Sequence, residues 1–269
     1  MNADARLIET FLTPIKICAE YRPAFGQSDS KGIDLPAFQE LYGSDPFYAW
    51  IGLDDPLVYA AHKAAGGLTS VYRQIGVGTE RLLREIIRGS LALDEAQTAW
   101  GYQYGKPDGK KGTHILDARI SLRDLDDSKR RRVSEWISSA GAHIGLSSQK
   151  TKRLNGVVFE VRQGYKSADS KRQNADLRFG MNAYQEGLLP AFMILSRQIS
   201  QEVIERYKNN NMAVVTGILT GDPQTSTFAF FQHIIGYDLA AFFKRNTETL
   251  KSEVLRIVHA LLSEKGNPS

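Results

Sequence analysis

The chain contains a single cysteine, Cys18, in 269 residues. One thiol excludes an internal disulfide and a cysteine-based zinc cluster, and its place in an apolar helical pattern predicts a buried filler. No run of about 18 apolar residues occurs, so no membrane span is predicted. The first residues also lack the basic segment and long apolar stretch that are typical of a signal peptide. We therefore expect a cytoplasmic protein with no membrane partner.

Motifs of several enzyme classes are also missing. The glycines around Gly66 and Gly76 match neither GxxxxGK[ST] nor a GxGxxG that follows a strand, so no nucleotide cofactor is expected. No serine lies in a GxSxG turn. The five histidines show no metal-binding spacing such as HExxH, so each is interpreted as a core or surface residue.

The composition is that of a folded protein with an uneven charge distribution. Hydrophobic residues make up 42% of the chain and aromatic ones 10%, which suits one large domain or two small ones. The first 100 residues carry 9 Lys and Arg against 13 Asp and Glu, whereas the whole chain carries 34 against 30. The basic excess therefore lies later and is densest over 150–178. A solvated basic face and an anion-binding surface are both compatible with it.

Hydrophobic periodicity divides the chain into a helical first third and an alternating remainder. In the first third it predicts helices over 5–21, 57–64 and 79–93, with a glycine-rich turn before the last one and Thr79 as a helix cap. In the remainder it predicts these elements: strands 113–122, 156–163, 190–196 and 212–219, helices 127–146, 170–187 and 200–209, and a helical region 226–263.

Short apolar runs separated by helices predict an α/β fold. We expect a central mixed β-sheet of about five strands flanked by helices, and a helical N-terminal region. The predicted boundaries are 1–75 for that region, which would contact DNA or a second copy, and 76–269 for the sheet with the C-terminal helices. The two parts are expected to form one continuous globular unit.

Two predicted strands each carry one acid in an otherwise apolar sequence, Asp117 in HILDARI and Glu160 in VVFEVR. An unpaired buried carboxylate is costly, so each needs a cation, a metal or hydrogen-bond donors beside it. Alternation places Glu160 and Arg162 on one face of their strand. If the two strands are neighbours, Asp117 and Glu160 converge on a hard cation, and Mg²⁺ suits two carboxylates with phosphate oxygens.

These residues resemble the motif of the PD-(D/E)XK nuclease superfamily, and in particular that of type II restriction endonucleases. Asp117 corresponds to the first acid and Glu160 to the second, and Arg162 occupies the place usually held by lysine. The segment GVGTERLLREII resembles the upstream glutamate-bearing helix of such enzymes, with Glu80 as the acid. The resemblance covers about half of the chain, from Gly76 to Gly217, and implies a restriction-endonuclease-like core.

The resemblance implies Mg²⁺-dependent cleavage of double-stranded DNA at a specific site by a homodimer. Asp117 and Glu160 would bind the metal, and either Arg162 or Lys166 would be the active-site cation. Arginine stays protonated and stabilises charge, but it does not readily act as a base. Glu80 would orient a second metal or a water, although an ordinary i,i+4 ion pair with Arg84 explains it equally well.

The segment after the second acid is expected to contact DNA. Lys166, Lys171 and Arg172 would bind backbone phosphates near a helix N-terminus. The amides of Gln173 and Asn174 are candidates for reading base edges, although a solvated first helical turn is the commoner case. The alternative function is a non-catalytic DNA-binding or regulatory protein on a nuclease-like core, which the arginine in place of lysine makes credible.

Overall fold

A computed structural model of the chain describes residues 3–26, 32–105, 109–164 and 170–263, with the backbone alone for 170–174. The chain divides into two compact units. The first contains the described residues up to Gly78 together with those from Lys244 onward, and the second contains those from Thr79 to Phe243. The described residues from Lys244 onward therefore group with the N-terminal region, and the helical residues before them group with the sheet.

Most of the described residues are helical. The helices are, in chain order, α1 (Ala3–Lys16), α2 (Leu35–Gly43), α3 (Pro46–Trp50), α4 (Pro56–Leu91), α5 (Glu95–Thr98), α6 (Asp127–His143), α7 (Ser148–Thr151), α8 (Ser170–Gln185), α9 (Gln201–Asn209), α10 (Thr227–Phe230), α11 (Leu239–Arg245) and α12 (Thr247–Leu262). A π-helical turn, Phe231–Ile235, follows α10. Within the described ranges, no helix has the length and apolar character needed to cross a membrane.

The glycine-rich segment before Thr79 is helical, so the predicted turn and the predicted cap are both wrong. Helix α4 runs without interruption through it for 36 residues. Within the first unit, a Cβ added at Gly67 would lie 2.4 Å from Leu261 Cδ2, and one added at Gly78 would lie 2.3 Å from the Phe11 carbonyl oxygen. These glycines serve close packing against neighbouring segments, and that packing offsets their low helix propensity.

The core of the first unit lies among α1, α4, α12 and the short 3₁₀ segment Ile17–Glu20. Its buried members include Leu12, Ile15, Cys18, Val71, Ile257 and Leu261. Cys18 is 2% exposed, which confirms the predicted role of a buried filler. Lys63 is also buried, and its ammonium donates a 2.9 Å hydrogen bond to the carbonyl of Ala260 in α12.

The second unit is built on a mixed sheet, which confirms the predicted α/β class. Its strands are β3 (Ala118–Ser121), β4 (Gly156–Arg162), β5 (Leu188–Ile194) and β6 (Ala213–Val215), in that order. Strands β3 and β4 are antiparallel, and β4, β5 and β6 are parallel. The described sheet therefore has four strands, and not about five. Strands β1 (Trp100–Gly105) and β2 (Lys111–Leu116) instead form a separate antiparallel ribbon.

Strand β5 is buried at all seven positions because side chains cover both faces of the sheet. Phe192 packs on one face, where its ring stacks on that of Tyr207 with centroids 4.3 Å apart. Phe159 of β4 packs in a different aromatic group, with Trp136 of α6 and Phe230 of α10. Coverage on both faces explains why these strands read as continuous apolar runs rather than alternating ones.

Replacing Phe192 by alanine is expected to destabilise the second unit by about 3–5 kcal/mol, because the buried ring leaves a cavity in a close-packed core. Urea denaturation followed by circular dichroism measures the loss as a lower urea midpoint. Met181→Ala is the control, since Met181 lies on α8 and is 61% exposed. Equal midpoints for the two variants would contradict this assignment of the core.

Candidate active site

Strand β4 ends in two charged side chains that meet on one face. Glu160 Oε1 lies 2.9 Å from Arg162 Nη2, as the predicted alternation requires. Glu160 is only 8% exposed. It is the single charged residue in the buried stretch from Gly156 to Val161. The carboxylate is therefore neutralised by a guanidinium of its own strand, two positions further along the chain.

The single strand predicted over 113–122 is wrong, because Asp117 divides it into β2 and β3. The residue sits in a bend between β2 and β3. Its N–H donates to the Phe159 carbonyl at 3.2 Å, and its Oδ2 accepts the Val161 N–H at 2.7 Å. A side-chain oxygen thus takes the place of a backbone acceptor, and it brings Asp117 beside β4 at the level of Glu160.

A third acid, Glu80 of α4, completes the group. It makes a side-chain hydrogen bond with Asp117, and its pKa is raised by burial and by the negative charge of Glu160. Arg84, one turn further along α4, donates from Nε to the backbone carbonyl of Asp117. The structure therefore brings together all three acids that the sequence singled out.

Burial and crowding change the acidity of this group. Burial, followed by the charge of Glu80, raises the pKa of Asp117 to about 7, while the Val161 N–H and the charge of Arg84 oppose the rise. Like charges in a low dielectric cannot all ionise freely. Perturbed carboxyl groups of this kind are a common mark of functional sites.

Sequence reasoning missed the second partner of Arg162, which is Asp176 of α8. Asp176 Oδ1 lies 2.9 Å from Arg162 Nη2, and its Oδ2 accepts a 2.6 Å hydrogen bond from the Tyr207 hydroxyl. Asp176 is 3% exposed and Tyr207 is fully buried. A signal was available, because Asp176 precedes the buried Phe179 and Ala183 by three and seven positions, on the inward face of α8.

A second pair that sequence reasoning passed over touches the other oxygen of Glu160. His114 of β2 places Nε2 3.6 Å from Glu160 Oε2, and its Nδ1 lies 3.0 Å from the hydroxyl oxygen of Tyr102 on β1. Burial lowers the pKa of His114 and raises that of Tyr102 to about 12. A protonated Tyr102 hydroxyl that donates to Nδ1 leaves the Nε2–H to face Glu160.

The residues expected to contact DNA are described only in part. Lys166 lies outside the described residues. Lys171, Arg172, Gln173 and Asn174 fall in the first turns of α8, where the backbone is described and the side chains are not. Their roles, and the choice between Arg162 and Lys166 as the active-site cation, stay predictions.

The donor set suits a hard divalent cation. Glu80 and Asp117 lie beside Glu160, and burial raises the pKa of both; a bound cation would favour their ionised forms. In the described part of the chain, no group of three or more His, Cys, Asp or Glu side chains is placed to hold a metal ion. Mg²⁺ needs only one or two carboxylates with water and phosphate oxygens, so Asp117 and Glu160 fit it.

Comparison with known proteins adds no relative, since no protein-family model, no curated protein and no solved structure matches this chain.

Replacing Tyr207 by phenylalanine is expected to lower the free energy of unfolding by about 1.5–3 kcal/mol, because it removes a hydrogen bond to a buried carboxylate. Urea denaturation at neutral pH measures the loss. The matched control is Tyr104→Phe, since the Tyr104 hydroxyl has no buried carboxylate as a partner among the described residues. If the two variants lose the same stability, Tyr207 does not support Asp176 in this way.

The pKa of Asp117 predicts a pH-dependent penalty. In the unfolded chain this carboxyl loses its proton near pH 4, but in the folded protein it keeps the proton up to about pH 7. Stability therefore falls as pH rises through that interval. Asp117→Asn keeps an acceptor for Val161 and removes the decline, so the variant should gain about 2.5 kcal/mol on the natural protein between pH 5 and pH 8.

Urea midpoints of the variant and the natural protein at pH 5 and pH 8 check this expectation. Asp127→Asn is the control, because the Asp127 side chain is 94% exposed and should show a far smaller pH-dependent difference. A stability difference for Asp117→Asn that is equal at the two pH values would contradict a raised pKa at this site.

Proposed function

We propose that the protein is a type II restriction endonuclease that makes Mg²⁺-dependent double-strand cuts in DNA at a specific site. The observation that supports this most is the meeting of Asp117, Glu160 and Arg162 at the junction of β3 and β4. It is the arrangement that the motif resemblance requires, with Asp117 in the bend before β3 and the other two on the neighbouring strand β4. Glu80 adds a third acid from the helix that precedes them.

Asp117 and Glu160 would hold Mg²⁺, which when bound supplies a Lewis acid for a phosphate oxygen. Arg162 would stabilise the negative charge that grows on the phosphate during in-line displacement. Its guanidinium is already held by Glu160 and Asp176, which both contact Nη2. Because a guanidinium does not readily give up its proton, Arg162 has an electrostatic role and not that of a base.

Glu80 is the group that we assign to the attacking water. Burial and the charge of Glu160 raise its pKa, which brings a carboxylate closer to the range in which it can accept a proton near neutral pH. Its hydrogen bond with Asp117 holds it beside the carboxylates that would bind the metal. Arg84 keeps this part of the site in place through the backbone of Asp117.

The expected partner is double-stranded DNA, and the expected assembly is a homodimer, because two-fold symmetry matches the two strands of a symmetric site. Sedimentation of the purified protein with and without a DNA duplex measures the assembly state.

Incubation with plasmid DNA tests the proposal. With Mg²⁺ the protein is expected to give discrete linear fragments, and with a chelator it is expected to give none. Asp117→Asn, Glu160→Gln and Arg162→Gln should each lower the cleavage rate about a hundredfold or more, since each removes charge from the reacting centre. Glu186→Gln, an exposed substitution after α8, should cut like the natural protein.

Thermal melting gives a readout that does not depend on cleavage. Mg²⁺ should raise the melting temperature of the natural protein, because a ligand that binds only the folded state stabilises it. The rise should be smaller in Asp117→Asn. DNA that is bound but never cut would overturn the nuclease proposal.

That outcome would favour the second candidate, a non-catalytic DNA-binding or regulatory protein. The observation on its side is that Arg162 stands in the lysine position and is held by two carboxylates, Glu160 and Asp176, both largely buried. The plasmid assay and a gel-shift assay on the same preparation separate the two candidates.

A further inference from the structure

The ribbon formed by β1 and β2 has two unlike faces. One carries the pairs Trp100 with Leu116, Tyr102 with His114, and Tyr104 with Gly112. Trp100 and Leu116 are buried in the core of the second unit, and His114 faces Glu160. This inner face is therefore anchored in the fold and in the candidate site.

The outer face carries the alternate pairs, Gly101 with Ile115, Gln103 with Thr113, and Gly105 with Lys111. All six of these residues are exposed, and Ile115 is 69% exposed. The face presents an amide, a hydroxyl, an ammonium and a branched apolar side chain, and it contains no acid. The two glycines leave the row of side chains accessible from one side.

These side-chain types are the ones that contact base edges in the major groove of DNA. A glutamine amide can bond adenine at two atoms, a lysine can bond guanine, a threonine can bond either, and an apolar group can contact the thymine methyl. The major groove also admits a two-stranded β-ribbon. The positive charge of Lys111 near the end of the ribbon, and the absence of acids on this face, complement the charge of DNA.

The ribbon that carries this outer face adjoins the candidate site through its inner face. Strand β2 ends at Leu116, and the next residue is Asp117. His114, on the inner face of the same strand, lies against Glu160. A duplex whose phosphate lay at these carboxylates would have the ribbon directly beside it.

We propose that the outer face of the β1–β2 ribbon enters the major groove of double-stranded DNA, and that Gln103 and Thr113 read the bases there while Lys111 contacts the duplex. This inference rests on the proposed function for its ligand, since it names the recognition surface of that site. It assigns sequence selectivity to residues that lie apart from the start of α8.

A pool of randomised DNA duplexes tests the assignment in two arms. In the first, the protein cuts the pool with Mg²⁺ and the new ends are sequenced. In the second, Asp117→Asn binds the pool in the presence of a chelator and the retained duplexes are sequenced. The second arm reads selectivity even if no cutting occurs, so failure of the nuclease proposal and failure of this inference are distinguishable.

The natural protein, with Gln103 and Thr113, is expected to select one DNA sequence from the pool. Gln103→Ala and Thr113→Ala are each expected to lower the preference for the selected base at one or more DNA positions by roughly ten- to a hundredfold. Gln149→Ala is the matched control, because Gln149 is an exposed glutamine on α7, and it should keep the preference. Circular dichroism and thermal melting confirm that each variant is folded. The inference would be overturned if both ribbon variants kept the DNA sequence preference of the natural protein. It would also be overturned if a protein with the natural ribbon bound duplexes without any sequence preference.

Discussion

A carboxylate in the interior of a buried strand is the constraint on which the second unit depends. Glu160 lies in the sheet where water contributes little, and an isolated charge there would cost several kcal/mol. Arg162 neutralises it at 2.9 Å, and the same guanidinium also contacts Asp176, so one cation is shared by two carboxylates. Tyr207 then satisfies the remaining oxygen of Asp176. Two helices, α8 and α9, are thus tied to β4 by polar contacts as well as by apolar packing.

Further acids lie close to the same carboxylate. Asp117 and Glu80 are brought close to Glu160. Burial raises the pKa of both, and the charge of Glu160 adds to the rise at Glu80 while the charge of Glu80 adds to the rise at Asp117. A structure held together for stability alone would have little reason to collect like charges in one place. Strain of this electrostatic kind is typical of sites that receive a cation or a proton, and it is the physical basis for the function that we propose.

Asp117 also connects the mixed sheet to the β1–β2 ribbon. By accepting the Val161 N–H, its side chain completes the ladder where the backbone bends away. The bend separates β3, which belongs to the mixed sheet, from β2, which belongs to the ribbon. One residue is therefore at once the end of the sheet, the start of the ribbon and a member of the acidic group.

Several features of the fold and the site were accessible from local sequence. Alternation placed Glu160 and Arg162 on one face, continuous apolar runs located the core strands β4 and β5, and the isolated acids in apolar strands marked Asp117 and Glu160. The glycine-rich segment was wrongly predicted to be a turn. Glycine favours turns in local sequence, but Gly67 lies in a helix and permits close packing against Leu261.

The sequence by itself determined which charged residues lie in the interior. The alternation of a strand and the presence of an acid among apolar neighbours are both properties of adjacent positions. Only the tertiary structure decided how those charges are balanced. Asp176 reaches Arg162 from a helix 14 positions later, Tyr207 reaches Asp176 from the helix after that, and His114 reaches Glu160 across from β2. Such partners depend on strand order and helix packing, which no local pattern contains.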